Sequence, residues 1–273
     1  MDDAANNLPA YGHSTNLVGL PTGLLASVAF NDFPLPLHIS GVREMNGALY
    51  RMLAEATNME ECAEVFRCYM EAVFALDDKP EQTDRPRKRR FHSSYLKLLE
   101  GWGFDSNSPA GAVLKGWTES RFGLLPIYHK EKLGRYPSQP WITYVEEKMS
   151  SRFHNNSINQ QLDLLYEFCQ WVITHMAYHG KRHLTLYRGV NDFAEHQCLY
   201  SIDKREMVMR QNNVVSFTSS RERADEFGDT ILEAQVPLVK VLYFNGLLPR
   251  NVLKGEGEFL VIGGEYRVKT SYW

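Results

Sequence analysis

The chain has 273 residues, 44% of them hydrophobic and 23% charged, with a formal net charge of -3. That length supports a sizeable core without disulfides or metals, and the slightly acidic balance excludes a whole-protein field of the kind that draws nucleic acid or an anionic membrane. Cys62, Cys68, Cys169 and Cys198 form no CxxC pair and read as reduced thiols.

Near the start, Leu17 to Phe30 is an apolar run. Asp2 and Asp3 precede it instead of basic residues, Pro21 interrupts it, and it is too short to span a bilayer. It reads as packed structure, and the compartment as cytoplasmic. Thr57 to Glu60 has the form of a capping box. Met59, Cys62, Ala63, Phe66, Met70, Val73 and Phe74 follow at helical spacing. Lys79 to Arg90 is a polar linker of low complexity. Its Arg85, Arg87, Lys88, Arg89 and Arg90 form either a solvated run or a patch for an acidic protein surface. Ser108-Pro109 offers a cap with proline at the first helical position. Ser138 to Phe153 carries a further helical pattern. Ser157 to Gln160 is a second capping box, opening a helix that runs to Met176 and stops at Gly180. Trp102, Trp117, Trp141 and Trp171 lie on helical patterns and read as core. His175, His179 and His183 suggest a metal site only weakly, because no HExxH is present, and no metal is expected.

From Leu184 the texture changes. Leu184 to Val190, Val214 to Ser219, Ile231 to Val236, Lys240 to Phe244, Glu258 to Ile262 and Tyr266 to Tyr272 are short and rich in β-branched or aromatic residues. Only Arg221 to Phe227 looks helical there. Helices followed by strands predict an α+β fold. Residues 1–183 form a mainly helical region and 184–273 a β-rich core, packed as one unit.

Three segments of the strand region carry chemistry. In Tyr187-Arg188-Gly189, alternation places Arg188 on the face of Leu184 and Leu186. A guanidinium on an apolar face needs an anionic partner, either a ligand phosphate or a structural carboxylate. Ser216-Phe217-Thr218-Ser219-Ser220 is a hydroxyl-rich strand end, fit to orient a carboxylate or simply to cap the next helix. Glu256-Gly257-Glu258 sets two carboxylates on one side of an extended backbone. That arrangement is costly unless a cation or a reaction uses it, and a solvated hairpin turn is the alternative.

In this order the segments resemble the mono-ADP-ribosyltransferase superfamily, in its branch with arginine, serine and glutamate motifs. The resemblance implies an NAD-binding cleft in the β-rich core, with NAD as substrate. Arg188 matches the arginine motif, flanked by Tyr187 and Gly189. SFTSS matches the serine motif, although Thr218 departs from the usual pattern; Ser219 is the preferred motif hydroxyl, with Ser216 and Thr218 as alternatives. Glu258 matches the catalytic glutamate and Glu256 the one tied to arginine acceptors. Over its whole length the chain also resembles the bacterial family that ADP-ribosylates dinitrogenase reductase. That implies an arginine on this homodimeric iron protein of nitrogenase as the target, its inactivation, and control by a PII signalling protein. A non-catalytic protein that docks through an NAD-shaped cleft and an NAD glycohydrolase are the alternative readings.

Overall fold

The computed structural model describes residues 15–76, 94–191, 196–249, 252–253, 255 and 257–272. The basic stretch at 85–90 and Glu256 lie outside the described residues. The helical region contains α1 (Thr22–Ala26), α2 (Val28–Asp32), α3 (Val42–Met45), α4 (Gly47–Glu55), α5 (Met59–Phe74), α6 (Tyr95–Phe104) and α7 (Pro109–Phe122). A small hairpin, β1 (Tyr128–His129) and β2 (Glu131–Lys132), precedes α8 (Gln139–Ser150) and α9 (Asn156–Val172). The remainder is β3 (His183–Val190), β4 (Gln197–Ser201), β5 (Glu206–Thr218), α10 (Arg221–Asp225), β6 (Thr230–Pro237), β7 (Val241–Phe244) and β8 (Glu258–Tyr272). The fold is α+β. No helix among the described residues is long and apolar enough to cross a membrane, and all four cysteines are free.

Caps explain where the helices begin. Ser108 accepts from Gly111 N, with Pro109 in the first turn of α7. The other two expected boxes are shifted by the preference of asparagine for the cap position. Asn58, not Thr57, caps α5 and accepts from Glu61 N, while the Glu61 carboxylate reaches back to Thr57 N and Oγ1. Asn155, not Ser157, caps α9 and accepts from Ile158 N. The α-helix ends at Val172, earlier than expected, and passes into a π-helical turn, Ile173–Ala177. There Thr174 Oγ1 and His175 Nδ1 donate to the carbonyls of Gln170 and Trp171, both at 2.8 Å. Side chains thus compete for acceptors that the helical amides would otherwise use. His183 in turn contacts the Asn31 carbonyl.

The main sheet is antiparallel, in the order β4-β5-β3-β6-β8-β7, with β5 also paired to β8. The strand pattern expected at Val214 to Ser219 is the end of the much longer β5. The two segments expected at 258–262 and 266–272 are one strand, β8. Its first half pairs with β7 and β5, and its second half with β6 and β5. The change of neighbour falls at a bulge, where Asn212 and Asn213 together oppose Gly263. A side chain at Gly263 would lie 1.6 Å from the Asn212 carbonyl, and Gly264 has φ +109°, so both positions require glycine.

The bulge also holds the helical layer. Asn212 accepts from Ile127 N and donates to Tyr128 O. Asn213 donates to the carbonyls of Lys115 and Leu124. Gln170 of α9 likewise donates to the carbonyls of Leu238 and Val241. The buried Glu167 carboxylate gathers Ile39 N, His38 and Arg43 from the N-terminal segment. The apolar run near the start is packed structure: Leu25, Ala26 and Phe30 are buried in the same apolar cluster as Val261 and Val268.

Lys240 is wholly buried beside the bulge. Its ammonium lies 5.3 Å from the Phe30 ring centroid and 5.0 Å from that of Tyr266, and donates to the Gly263 carbonyl. Burial pushes its pKa down from 10.5 to about 7. Between those values the unfolded chain binds the proton and the folded chain does not, so the contribution of this site to stability rises with pH across that window. Lys240→Met is therefore expected to raise stability at neutral pH by about 1–3 kcal/mol. Thermal melts should show the gap between variant and wild type largest near pH 6.5 and narrowing towards pH 10. A gap independent of pH would contradict this account.

Candidate active site

The site follows from strand register. Tyr187 of β3 pairs with Thr218 of β5, and Thr218 pairs with Glu258 of β8. This row brings together the three segments that stood out in the sequence. A cleft of about 210 Å³ opens beside it, lined by Trp102, Gly103, Phe104, Ser106, Arg188, His196, Asn212, Val214, Val215, Ser216 and Glu258. Ligand pockets commonly run to about 300–1,000 Å³, so this cleft is at the small end for a ligand site.

Arg188, Ser216 and Glu258 face this space from neighbouring strands. The half-buried Arg188 donates from Nη1 to the Ser216 carbonyl at 2.9 Å, and its Nε lies 3.4 Å from His196 Nε2. For that second contact the histidine nitrogen must be the acceptor, which puts the ring proton on Nδ1. Glu258 opens β8, and its Oε2 accepts from Gly255 N at 3.0 Å. The cleft thus holds a guanidinium suited to a phosphate and a carboxylate suited to a developing cation.

The other expected site residues do not line the cleft. Tyr187 and Thr218 supply the pairing row, and Thr218 Oγ1 accepts from Ser220 N. Gly189 gives close approach to α10: a side chain there would lie 1.8 Å from the Ala224 carbonyl. Ser219 is exposed at the end of β5. Its amide donates to Gly257 O at 3.0 Å, and its hydroxyl lies 3.5 Å from the same carbonyl. Among the three motif hydroxyls, the one lining the cleft is that of Ser216, while Ser219 braces the turn leading into Glu258.

Trp102, Phe104, Ser106, His196 and Asn212 were not anticipated as site residues. Trp102 is buried, as expected of a core residue, but it also forms a wall of the cleft and donates from Nε1 to Ser216 Oγ at 3.1 Å. One signal was available: Gly101 and Gly103 flank it, and at Gly101 a side chain would meet Ala110 Cβ at 2.7 Å, a mark of close helix packing. Consecutive asparagines inside a strand likewise mark the bulge that brings Asn212 to the cleft. Nothing comparable singles out Ser106 or His196.

The family model described as Dinitrogenase reductase ADP-ribosyltransferase matches residues 15–270. The NAD(+)--dinitrogen-reductase ADP-D-ribosyltransferase of Rhodospirillum rubrum is 59% identical over 277 residues, covering 100% of both chains. No solved structure matches the chain. The protein is thus an ADP-ribosyltransferase that uses NAD as its substrate. Within that class, the chain belongs to the dinitrogenase reductase ADP-ribosyltransferase family.

The turn before Glu258 yields a prediction. Gly257 has φ +60°, and a side chain there would lie 2.4 Å from Ser219 Oγ. Gly257→Ala is expected to cost about 1–2 kcal/mol of stability and to lower ADP-ribosyl transfer at least about tenfold through misplacement of Glu258. Melting and transfer assays on the same preparation check this. A folded variant with wild-type rate would show that the turn does not position a reacting group.

Proposed function

We propose that this protein transfers ADP-ribose from NAD to an arginine side chain of dinitrogenase reductase, the homodimeric iron protein of nitrogenase, and thereby inactivates it. The observation that carries the chemistry is the convergence of Arg188, Ser216 and Glu258, from neighbouring strands, on one cleft. The target rests on the 59% identity to a protein named for it. Regulation by a PII signalling protein and a cytoplasmic compartment belong to the same reading through the family resemblance.

In the reaction the bond between nicotinamide and ribose C1′ breaks, and nicotinamide leaves as a neutral molecule. Positive charge develops on the ribose, as in glycoside cleavage. The Glu258 carboxylate opposes that charge more strongly in the transition state than in the ground state, and so lowers the barrier. Arg188 binds an NAD phosphate through charge-assisted hydrogen bonds while keeping its contact with β5. Ser216 offers a hydroxyl within the cleft, and Ser219 fixes the turn that carries Glu258. The acceptor guanidinium forms the new bond to C1′ through one nitrogen and loses one proton. Glu256 binds and orients that guanidinium and assists the loss.

Incubating the protein with labelled NAD and a nitrogen-fixing cell extract is expected to label one band, of the mass of dinitrogenase reductase. Labelling confined to other proteins would overturn the target. Glu258→Gln keeps the shape and removes the charge, so transfer should fall about a hundredfold or more, with NAD affinity changed much less. A near wild-type rate would instead show that Glu258 is not the group that opposes the developing charge. Glu256→Gln should reduce transfer to arginine while slow NAD hydrolysis persists, because Glu258 still serves the ribose. Equal loss of both activities would place Glu256 in the NAD step.

A further inference from the structure

We infer that Trp102 is a positioning residue of the transferase cleft: its indole N–H holds Ser216 so that the serine's own proton is donated into the cleft. The inference rests on the function proposed above. Tryptophan nitrogen is only a donor, so in the 3.1 Å contact Ser216 Oγ is the acceptor. The Ser216 carbonyl is engaged separately by Arg188 at 2.9 Å. Held by α6 through its hydroxyl oxygen and by β3 through its carbonyl, the residue keeps one directional group, its O–H. The partners suited to that proton are acceptors: the Glu258 carboxylate, a ribose hydroxyl oxygen or a phosphate oxygen.

The surroundings fix the indole for this task. Trp102 is 5% exposed, so its N–H requires a protein partner. The close approach of Gly101 to Ala110 holds this end of α6 against α7. Buried Lys115 of α7 places its ammonium 5.9 Å from the indole ring centroid. A cation over the ring withdraws electron density from the indole and strengthens its N–H as a donor. The arrangement gives the helical layer a direct part in the chemistry, through one side chain reaching a strand 114 positions away in sequence.

The test is a double-mutant cycle on the full chain, read as kcat and KM for NAD in ADP-ribosyl transfer. Trp102→Phe removes the donor and keeps an aromatic ring, and Ser216→Ala removes the hydroxyl. Each is expected to lower kcat about tenfold, the scale of one hydrogen bond, with a smaller change in KM. The double variant should be no slower than Ser216→Ala alone, because Trp102 acts through the serine. Multiplicative losses would overturn the inference, since they mean that Trp102 acts by packing. If Trp102→Phe fails to fold, 3-benzothienylalanine at position 102 exchanges the N–H for sulfur at nearly constant shape. It should show the same non-additivity, and full activity would overturn the inference. Wild-type turnover in Ser216→Ala also overturns it, yet leaves the reading of the cleft intact when Glu258→Gln, assayed in parallel, is inactive. An active Glu258→Gln overturns that reading itself.

Discussion

The pairing row Tyr187–Thr218–Glu258 is the constraint on which the site depends. Side chains alternate along a strand, so a slip of one residue in β5 or β8 would turn Ser216 or Glu258 to the opposite face, away from Arg188. What holds the register is the bulge at Asn212 and Asn213 opposite Gly263, which tolerates no side chain at the glycine and spends both asparagine amides on neighbouring carbonyls. The geometry of Arg188, Ser216 and Glu258 is thus set in part at a kink several residues away, where the sheet changes partners.

The helical region takes part in this arrangement rather than merely covering it. α7 is tied to the bulge through the Lys115 carbonyl, and α9 to the β6–β7 corner through Gln170. α6 supplies a wall of the cleft through Trp102 and Phe104. Glu167 draws the segment around Ile39 onto α9 with a buried, multiply bonded carboxylate, a contact whose value depends on all its partners being present.

Much of this was legible in the sequence because its signals are local. Helical periodicity, the Ser108-Pro109 cap and the change of texture near residue 184 each follow from a few neighbouring residues. The errors arose where two local rules competed. Asparagine displaced threonine and serine as caps, side chains of Thr174 and His175 altered the end of α9, and Gly263-Gly264 looked like a break between two strands although it bends one. The three cleft residues stood in recognisable motifs. The choice among Ser216, Thr218 and Ser219 did not, since it depends on where along β5 the cleft lies, and Ser216 and Thr218 share a strand face. Trp102 read correctly as buried, and the flanking glycines mark close packing there, but its place at the cleft is set by a contact with a strand far along the chain.

Strands β3, β6, β8 and β5 form a closed ring of hydrogen-bonded neighbours, and the ring is unevenly fastened. Long ladders join β3 to β6 and β5 to β8, whereas β3 meets β5 through the single pair Tyr187 and Thr218. The guanidinium of Arg188, reaching across to the Ser216 carbonyl, serves as an extra rung at that junction. The ring therefore has a seam, and the seam lies at the mouth of the cleft. Local opening of a fold follows its weakest cooperative links, so the wall of the cleft at this seam is the part of the ring most easily parted. On the function proposed above, a dinucleotide held by Arg188 on one side and facing Glu258 on the other would add one more tie across that seam, a suture at the weakest join of the ring.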